Sequence, residues 1–400
     1  MKYIVLQGDG MADYPLERLG GRTPLSYARK KNIDELAKKS IVGMVRTIPA
    51  GMHPGSDIGN LSIFGYDPAR YYTGRAPIEA AGQGIALGMD DVACRCNLVT
   101  LDKSAGMTRM KDYSAGHITT EEAIELMRAL SSSLQLDGFR LYPGVSYRHL
   151  MVWQHGLDRI QTFPPHDIAD QDIAGHMPAG DGADRLTSLI ESSWDILEAH
   201  PVNIKRKALG KAPANSIWLW GLGKALRIPP FRQVYGLSGA CISAVDLVRG
   251  IARLAGFAIV EVPGITGWVD TNYSGKAAYG VTALKDHDIV YIHVEAPDEA
   301  GHNGDIALKV KAIEDFDEKV VGGVRDHLQG AGPYRILIMP DHRTPIARKT
   351  HTEEPVPFLL YDSEHEVRNA YPYDEAGAGK SGIFIENGFE IMSMLLKDRR

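Results

Sequence analysis

Four hundred residues, 44% apolar and 24% charged, suffice for two domains with a sizeable buried core. With 44 Lys and Arg against 50 Asp and Glu, the net charge of −6 leaves no basic surplus to draw the chain onto nucleic acid or an anionic membrane. No apolar run approaches the ~20 residues of a membrane helix, the apolar start at Tyr3 meets Gly8 too soon for a signal peptide, and three cysteines make no disulfide framework, so a cytosolic protein is expected.

Taken in chain order, Tyr3-Ile4-Val5-Leu6 is a short apolar run closed by Gly8-Asp9-Gly10, the pattern of a buried parallel strand. Pro54-Gly55-Ser56-Asp57 reads as a tight glycine turn. From about Met89 to Pro213 the pattern changes to alternating strand-like pieces and His/Pro-rich turns, with helices predicted over residues 119–134 and 188–197. Cys94 and Cys96 fall here, where C-x-C without a second ligand pair reads as strand rather than metal site.

Three further strands are predicted over residues 257–262, 289–294 and 336–339. Between the last two, Ile306, Val310, Ile313, Val320, Val324 and Leu328 recur at helical spacing. Strand, helix, strand is the unit of a parallel α/β sheet. The expectation is therefore an α/β fold in which residues 1–85 and 213–400 form one domain, with a mostly parallel sheet flanked by helices. Residues 86–212 would be a smaller inserted α/β (α+β) domain.

Five small clusters rich in metal-ligand types lie just past predicted strands or in glycine-rich loops: Asp9; Ser56; Asp298 with His302; Asp341-His342; and His351. Ligand sites in open α/β sheets gather beyond the carboxyl ends of the strands. Three Asp and three His suit Mn²⁺, Zn²⁺ or Mg²⁺ and are enough for two ions. Two divalent cations can neutralise both the attacking oxygen and the phosphoryl oxygens of an in-line displacement. Ser56, in a turn free of bulky neighbours, is the best-placed nucleophile. Each residue alone also has a structural reading, as a cap, a turn residue or a satisfied histidine. Their combination is what points to phosphoryl chemistry.

Gly8-Asp9-Gly10-Met11-Ala12-Asp13, Pro54-Gly55-Ser56-Asp57 with Gly65-Tyr66-Asp67-Pro68, Asp298-Glu299-Ala300-Gly301-His302 and Pro340-Asp341-His342 together resemble the alkaline phosphatase superfamily. The resemblance is greatest to the archaeal-type cofactor-independent phosphoglycerate mutases. It implies an alkaline-phosphatase-like metal domain built from both chain ends, with a substrate-holding insert. Carried over, it places Asp9, Ser56, Asp341 and His342 around one ion and Asp298, His302 and His351 around the other, with Ser56 becoming phosphoserine. In the insert, Arg95, His117 and Arg148 resemble the family's substrate-contacting positions. Residues 45–60 and the His-rich insert look closer to a bacterial branch for which a homoserine kinase role has been proposed.

For the mutase reading, a small phosphorylated substrate would give its phosphoryl group to Ser56, turn, and take it back on the neighbouring hydroxyl. If water arrived first the enzyme would be a phosphatase, so the insert is expected to close as a lid. Arg206 and Lys211 are further insert cations able to meet an anion. His117 could equally cap or pack, and Asp57 could orient the nucleophile, act as a general acid or cap the helix. A kinase needs a home for ATP, and Gly377-Ala378-Gly379-Lys380-Ser381 and Gly221-Leu222-Gly223-Lys224 are near misses to a phosphate loop, with Asp374 and Trp218 where its first glycine belongs. A metal-dependent phosphomonoesterase, a phosphopentomutase-like enzyme and a non-catalytic scaffold on the same core are the other readings.

Overall fold

Strand Lys2–Gly8, from the head of the chain, lies between Ile289–Val294 and Tyr334–Met339, from its tail, and runs parallel to both. The structure, a computed structural model, describes residues 1–104 and 106–397. Within it the chain divides into two compact units, residues 1–72 with 227 onward, and residues 73–226.

The larger unit is built on an eight-stranded sheet in the order Ala258–Ile259, Gly239–Ile242, Ile289–Val294, Lys2–Gly8, Tyr334–Met339, Val356–Asp362, Ser40–Val45, Phe384–Ile385. Only Val356–Asp362 runs antiparallel to its neighbours, so the sheet is mostly parallel. Lys2–Gly8 is buried at every position after the first and Ile289–Val294 throughout, as continuous apolar runs covered on both faces should be. The strand expected over 257–262 shortens to two residues at the sheet edge. The helix expected across 305–328 is one helical run whose middle, Phe316–Val321, widens into a π-helical turn.

Strand register decides where the functional groups arrive. Gln7 pairs with His293 on one side and Met339 on the other, so three adjacent strands end level. The residues just beyond them, Asp9, the helix Ala296–Asn303 and Asp341-His342, are thereby delivered to one edge of the sheet.

In the smaller unit, the eleven-residue strand Val92–Asp102 pairs antiparallel with both Arg148–Trp153 and Ser216–Lys224. Cys94, Cys96 and Leu98 pack with Leu126 and Leu130 of helix Thr120–Ser133 and with Leu186 and Ile190 of helix Ala183–Glu198. Both cysteine thiols are buried, and burial pushes Cys96 up to about 12, so these are packing groups. The intervening side chain, Arg95, belongs to the opposite face.

The unit boundaries fall outside those expected at 85/86 and 212/213. Helix Arg75–Gly82 packs Ala76 and Ala80 on Ala93 and Leu150, and Ser216–Lys224 completes the sheet around Val92–Asp102. Residues 73–85 and 213–226 therefore join the insert. Among the described residues no helix is long and apolar enough to cross a membrane.

Candidate active site

Ser56 is the first residue of helix Ser56–Ile63, and its Oγ lies 3.0 Å from Nε2 of His342, in the loop that leaves strand Tyr334–Met339. Gly59, one turn on, allows the helix to approach this closely, since a Cβ there would sit 2.7 Å from the Asp341 carbonyl oxygen. Asp9 Oδ1 lies 3.5 Å from His342 Nε2, and Asp341 Oδ2 lies 3.3 Å from the same nitrogen. Between Asp9 and Met11, Gly10 takes a left-handed φ of +58°, with Asp298 Oδ1 2.6 Å from where its Cβ would be.

Asp298 and His302 lie four residues apart on helix Ala296–Asn303, on one face, with Asp298 Oδ2 3.2 Å from His302 Nε2. His351 Nε2 is 2.9 Å from His302 Nε2 and 3.5 Å from Asp298 Oδ1, and its ring centre is 4.0 Å from that of His342. Thr344 links the halves: its hydroxyl donates to Asp298 and lies 3.2 Å from His342 Nδ1. All seven residues expected at the site thus form one connected cluster within the larger unit.

Its electrostatics are those of a cation site. Burial, then the carboxylates of Asp341, Glu295 and Asp298, push the Asp9 carboxyl well above the usual range. Burial would raise Asp298 too, yet His351 and His302 outweigh it and hold this carboxyl well below. His302 is raised to about 9 against the opposing effect of burial, chiefly by Asp298, while burial lowers His342 to about 4. Asp9 Oδ1 is buried without a hydrogen-bond partner. Asp9, Asp341 and His342, and separately Asp298, His342 and His351, each bring three ligand atoms within 4.8 Å of one another. Carboxylate and imidazole donors in this mixture fit divalent metal ions.

The chain is similar over its full length to known proteins. It is 53% identical over 397 residues to a probable 2,3-bisphosphoglycerate-independent phosphoglycerate mutase of Geobacter sulfurreducens, covering 99% of this chain and 100% of that one. It is 48% identical over 400 residues to the 2,3-bisphosphoglycerate-independent phosphoglycerate mutase of Methanosarcina acetivorans, with the same coverage. The chain belongs to this mutase family. The family model described as 2,3-bisphosphoglycerate-independent phosphoglycerate mutase matches residues 37–203. Among solved structures, the cofactor-independent phosphoglycerate mutase of Thermoplasma acidophilum superposes with a TM-score of 0.64 at 27% identity, covering 99% of each chain. A Pyrococcus horikoshii protein gives 0.83 at 30% identity, covering 100% of this chain and 98% of that one.

In this family member the insert presents its own cluster. Half-buried Glu79 accepts from Arg75 Nε at 2.8 Å, and Arg95 Nε stands 3.2 Å from its other oxygen. Burial alone would raise Glu79; Arg95, Arg75 and Arg148 together hold it low. The Arg95 guanidinium also lies 4.5 Å from the centre of the Trp220 ring. Arg148 is exposed beside the Tyr147 ring, which also meets the rings of Tyr113 and the exposed His117. Three guanidinium groups around one carboxylate leave a local positive excess on the insert, suited to an anion.

The structure also places the remaining sequence candidates. Arg206 is committed within the insert, donating to Ala212, Ala115 and Glu122. Asp57 accepts from the Ile58 amide and, at 2.6 Å, from the Tyr72 hydroxyl. Residues 375–380 form a helix capped by Asp374, and 221–224 end a strand, so neither is a phosphate loop. Sequence reasoning missed His293 and Glu295. His293 Nε2 lies 2.8 Å from Asp9 Oδ2 and 3.2 Å from Glu295 Oε2, and its Nδ1 is 2.9 Å from Ser243 Oγ. His293 was hidden as one polar position in an otherwise apolar strand. Arg75 and Glu79 carried a signal, their i,i+4 spacing.

Proposed function

We propose that this chain interconverts 3-phosphoglycerate and 2-phosphoglycerate in the cytoplasm, without 2,3-bisphosphoglycerate, through a phosphoserine at Ser56. The observation that carries this reading is the placement of Ser56 Oγ, at a helix N-terminus and 3.0 Å from His342, inside a cluster of three aspartates and three histidines. Asp9, Ser56, Asp341 and His342 would hold one divalent cation, and Asp298, His302 and His351 a second, with Mn²⁺, Zn²⁺ and Mg²⁺ as candidates. Bound there, the two ions would supply Lewis-acid neutralisation of the phosphoryl and serine oxygens.

Ser56 Oγ loses its proton as it attacks phosphorus, and the bond from phosphorus to the C3 oxygen breaks. That oxygen takes up a proton, leaving glycerate and phosphoserine. The amides in the first turn of helix Ser56–Ile63 favour the negative charge on the transferred group. The C2 hydroxyl then attacks the phosphoserine, loses its proton and restores Ser56 as 2-phosphoglycerate forms. Arg95 and Arg148 are assigned to the glycerate carboxylate, which they can meet through planar paired donors, and His117 to a further substrate oxygen. Arg75 joins them as the third guanidinium at Glu79. Retaining glycerate while the phosphoryl group sits on Ser56 is what separates a mutase from a phosphatase.

The test is direct. Purified protein with Mn²⁺ and 3-phosphoglycerate alone should form 2-phosphoglycerate, followed by ³¹P NMR, with no bisphosphoglycerate and no ATP added. Release of inorganic phosphate as the main product would identify a phosphatase instead, and turnover of homoserine only with ATP would identify a kinase.

A further inference from the structure

Behind the nucleophile, the Asn60 side chain makes three hydrogen bonds, all of them to protein groups. Its Nδ2 donates to the Ser56 carbonyl and to Asp341 Oδ2, both at 2.9 Å. Its Oδ1 accepts from the Tyr291 hydroxyl at 2.8 Å, and that hydroxyl lies 2.7 Å from Gln7 Oε1. Gln7, Asn60, Tyr291 and Asp341 are each fully buried.

The donor and acceptor inventory fixes the direction of this chain. A carbonyl and a carboxylate face the Asn60 nitrogen, so Asn60 must point its oxygen at Tyr291. A phenol has a single proton to give, and it goes to Asn60. With the Gln7 amide turned end for end, Nε2, otherwise buried without a partner, replaces Oε1 against the phenol oxygen, so that each contact of the chain has one donor and one acceptor. No member of the chain carries charge until Asp341. The Tyr291 ring is clamped by stacking on Phe64, with ring centres 4.3 Å apart, so its hydroxyl has little freedom to turn away.

We propose that Gln7, Tyr291 and Asn60 are positioning residues: a buried, uncharged relay from the sheet that holds the Asp341 carboxylate and the Ser56 turn of the helix at a fixed separation. The relay runs from two neighbouring strands, Lys2–Gly8 and Ile289–Val294, through the helix to the residue beyond a third, so one amide side chain ties the nucleophile to a metal ligand. An amide serves where a charged group would not, because it orients Asp341 without changing its charge. Asp341 Oδ1 is held separately, accepting from the Gly10 and His342 amides at 3.3 and 3.1 Å, so removing the relay frees one oxygen rather than the whole carboxylate.

The inference rests on Ser56 and Asp341 serving as proposed above, so its test reads metal binding apart from turnover. Tyr291→Phe keeps the ring stack and removes only the hydroxyl; Asn60→Ala removes the relay's centre. On metal-stripped protein, titration with Mn²⁺ should show affinity about 10-fold weaker for Tyr291→Phe and up to about 100-fold weaker for Asn60→Ala. In the loaded enzyme, kcat should fall by similar factors while KM for 3-phosphoglycerate stays within about twofold, as expected for groups that do not touch substrate. Adding Tyr291→Phe to Asn60→Ala should cost nothing more, since the hydroxyl acts only through Asn60. Wild-type Mn²⁺ affinity in both single variants, or independent additive losses in the double variant, would overturn the relay. If the wild-type protein binds Mn²⁺ but does not isomerise phosphoglycerate, the functional reading fails while the binding measurements still decide this one.

Discussion

His302 and His351 face each other through their Nε2 atoms at 2.9 Å, with Asp298 alongside both, 3.2 and 3.5 Å away. Two neutral imidazoles meeting this way must share one proton, and the adjacent carboxylate favours a second. That is why His302 is raised to about 9, with Asp298 opposing the effect of its burial.

Metal binding should therefore depend on pH. His302 and the raised Asp9 must both lose protons to become ligands, so binding should release protons and strengthen as pH rises from about 6 to about 9. Isothermal titration of metal-stripped protein in buffers of different ionisation enthalpy would measure the proton count. The metal-free fold should show the opposite trend. Because the folded pKa of His302 exceeds the unfolded value near 6.5, its contribution to stability is complete below that pH and is lost as pH rises through about 9. Urea midpoints of the metal-free protein across this range check the sign.

Ser56→Ala should leave the fold and the His302–Asp298–His351 group intact, since among the described residues the Ser56 hydroxyl hydrogen-bonds to a single side chain, His342. Turnover should fall by about 10⁴-fold or more, the scale on which loss of a nucleophile acts. Mass spectrometry of protein quenched during turnover should find phosphate at residue 56 in the wild type and none in the variant.

How far the sequence carried the site is explained by where each residue sits. Asp9, Asp298 and Asp341 follow apolar runs that can only be buried strands, so their delivery to one sheet edge was readable once the sheet was inferred parallel. Ser56 was readable because glycine precedes it at a helix start. His293 was not, because its role depends on lying level with Gln7 across two strands, a register no single strand records. The unit boundary was misplaced for a related reason: helix Arg75–Gly82 comes after the nucleophile region in sequence, but its apolar face matches Ala93 and Leu150 of the insert. Arg206 looked like a free cation, and only tertiary structure shows its donors already committed.

Arg148 and Arg95 should separate in their effects. Arg148 is exposed, so Arg148→Ala should raise KM for 3-phosphoglycerate by about 10–100-fold, the value of a charged hydrogen bond, with the urea midpoint unchanged. Arg95 is buried against Glu79, and burial lowers its pKa to about 10 despite that partner. Arg95→Ala should therefore also destabilise the fold by about 1–3 kcal/mol, because Glu79 is left with Arg75 alone at contact distance. Steady-state kinetics beside urea denaturation of each variant would distinguish the two.

Lys309 provides a stability test away from the reacting atoms. It is fully buried on helix Ile306–Asp315, and its Nζ donates to Asp13 Oδ2 at 2.8 Å and to the Thr344 carbonyl at 2.7 Å. Through that carbonyl it holds the segment whose hydroxyl donates to Asp298. Lys309→Met preserves length and apolar contact but strands the Asp13 carboxylate, which among the described residues keeps the Ile346 and Tyr14 amides as donors. A buried charge that loses its partner costs about 3–5 kcal/mol, so the urea midpoint should fall sharply. Pairing Lys309→Met with Asp13→Asn removes the stranded charge and should restore most of the lost stability. The double variant still lacks the donor to the Thr344 carbonyl, so its Mn²⁺ affinity should recover less completely than its midpoint. Equal recovery of both would show that Lys309 stabilises the unit without holding the Asp298 side of the metal cluster.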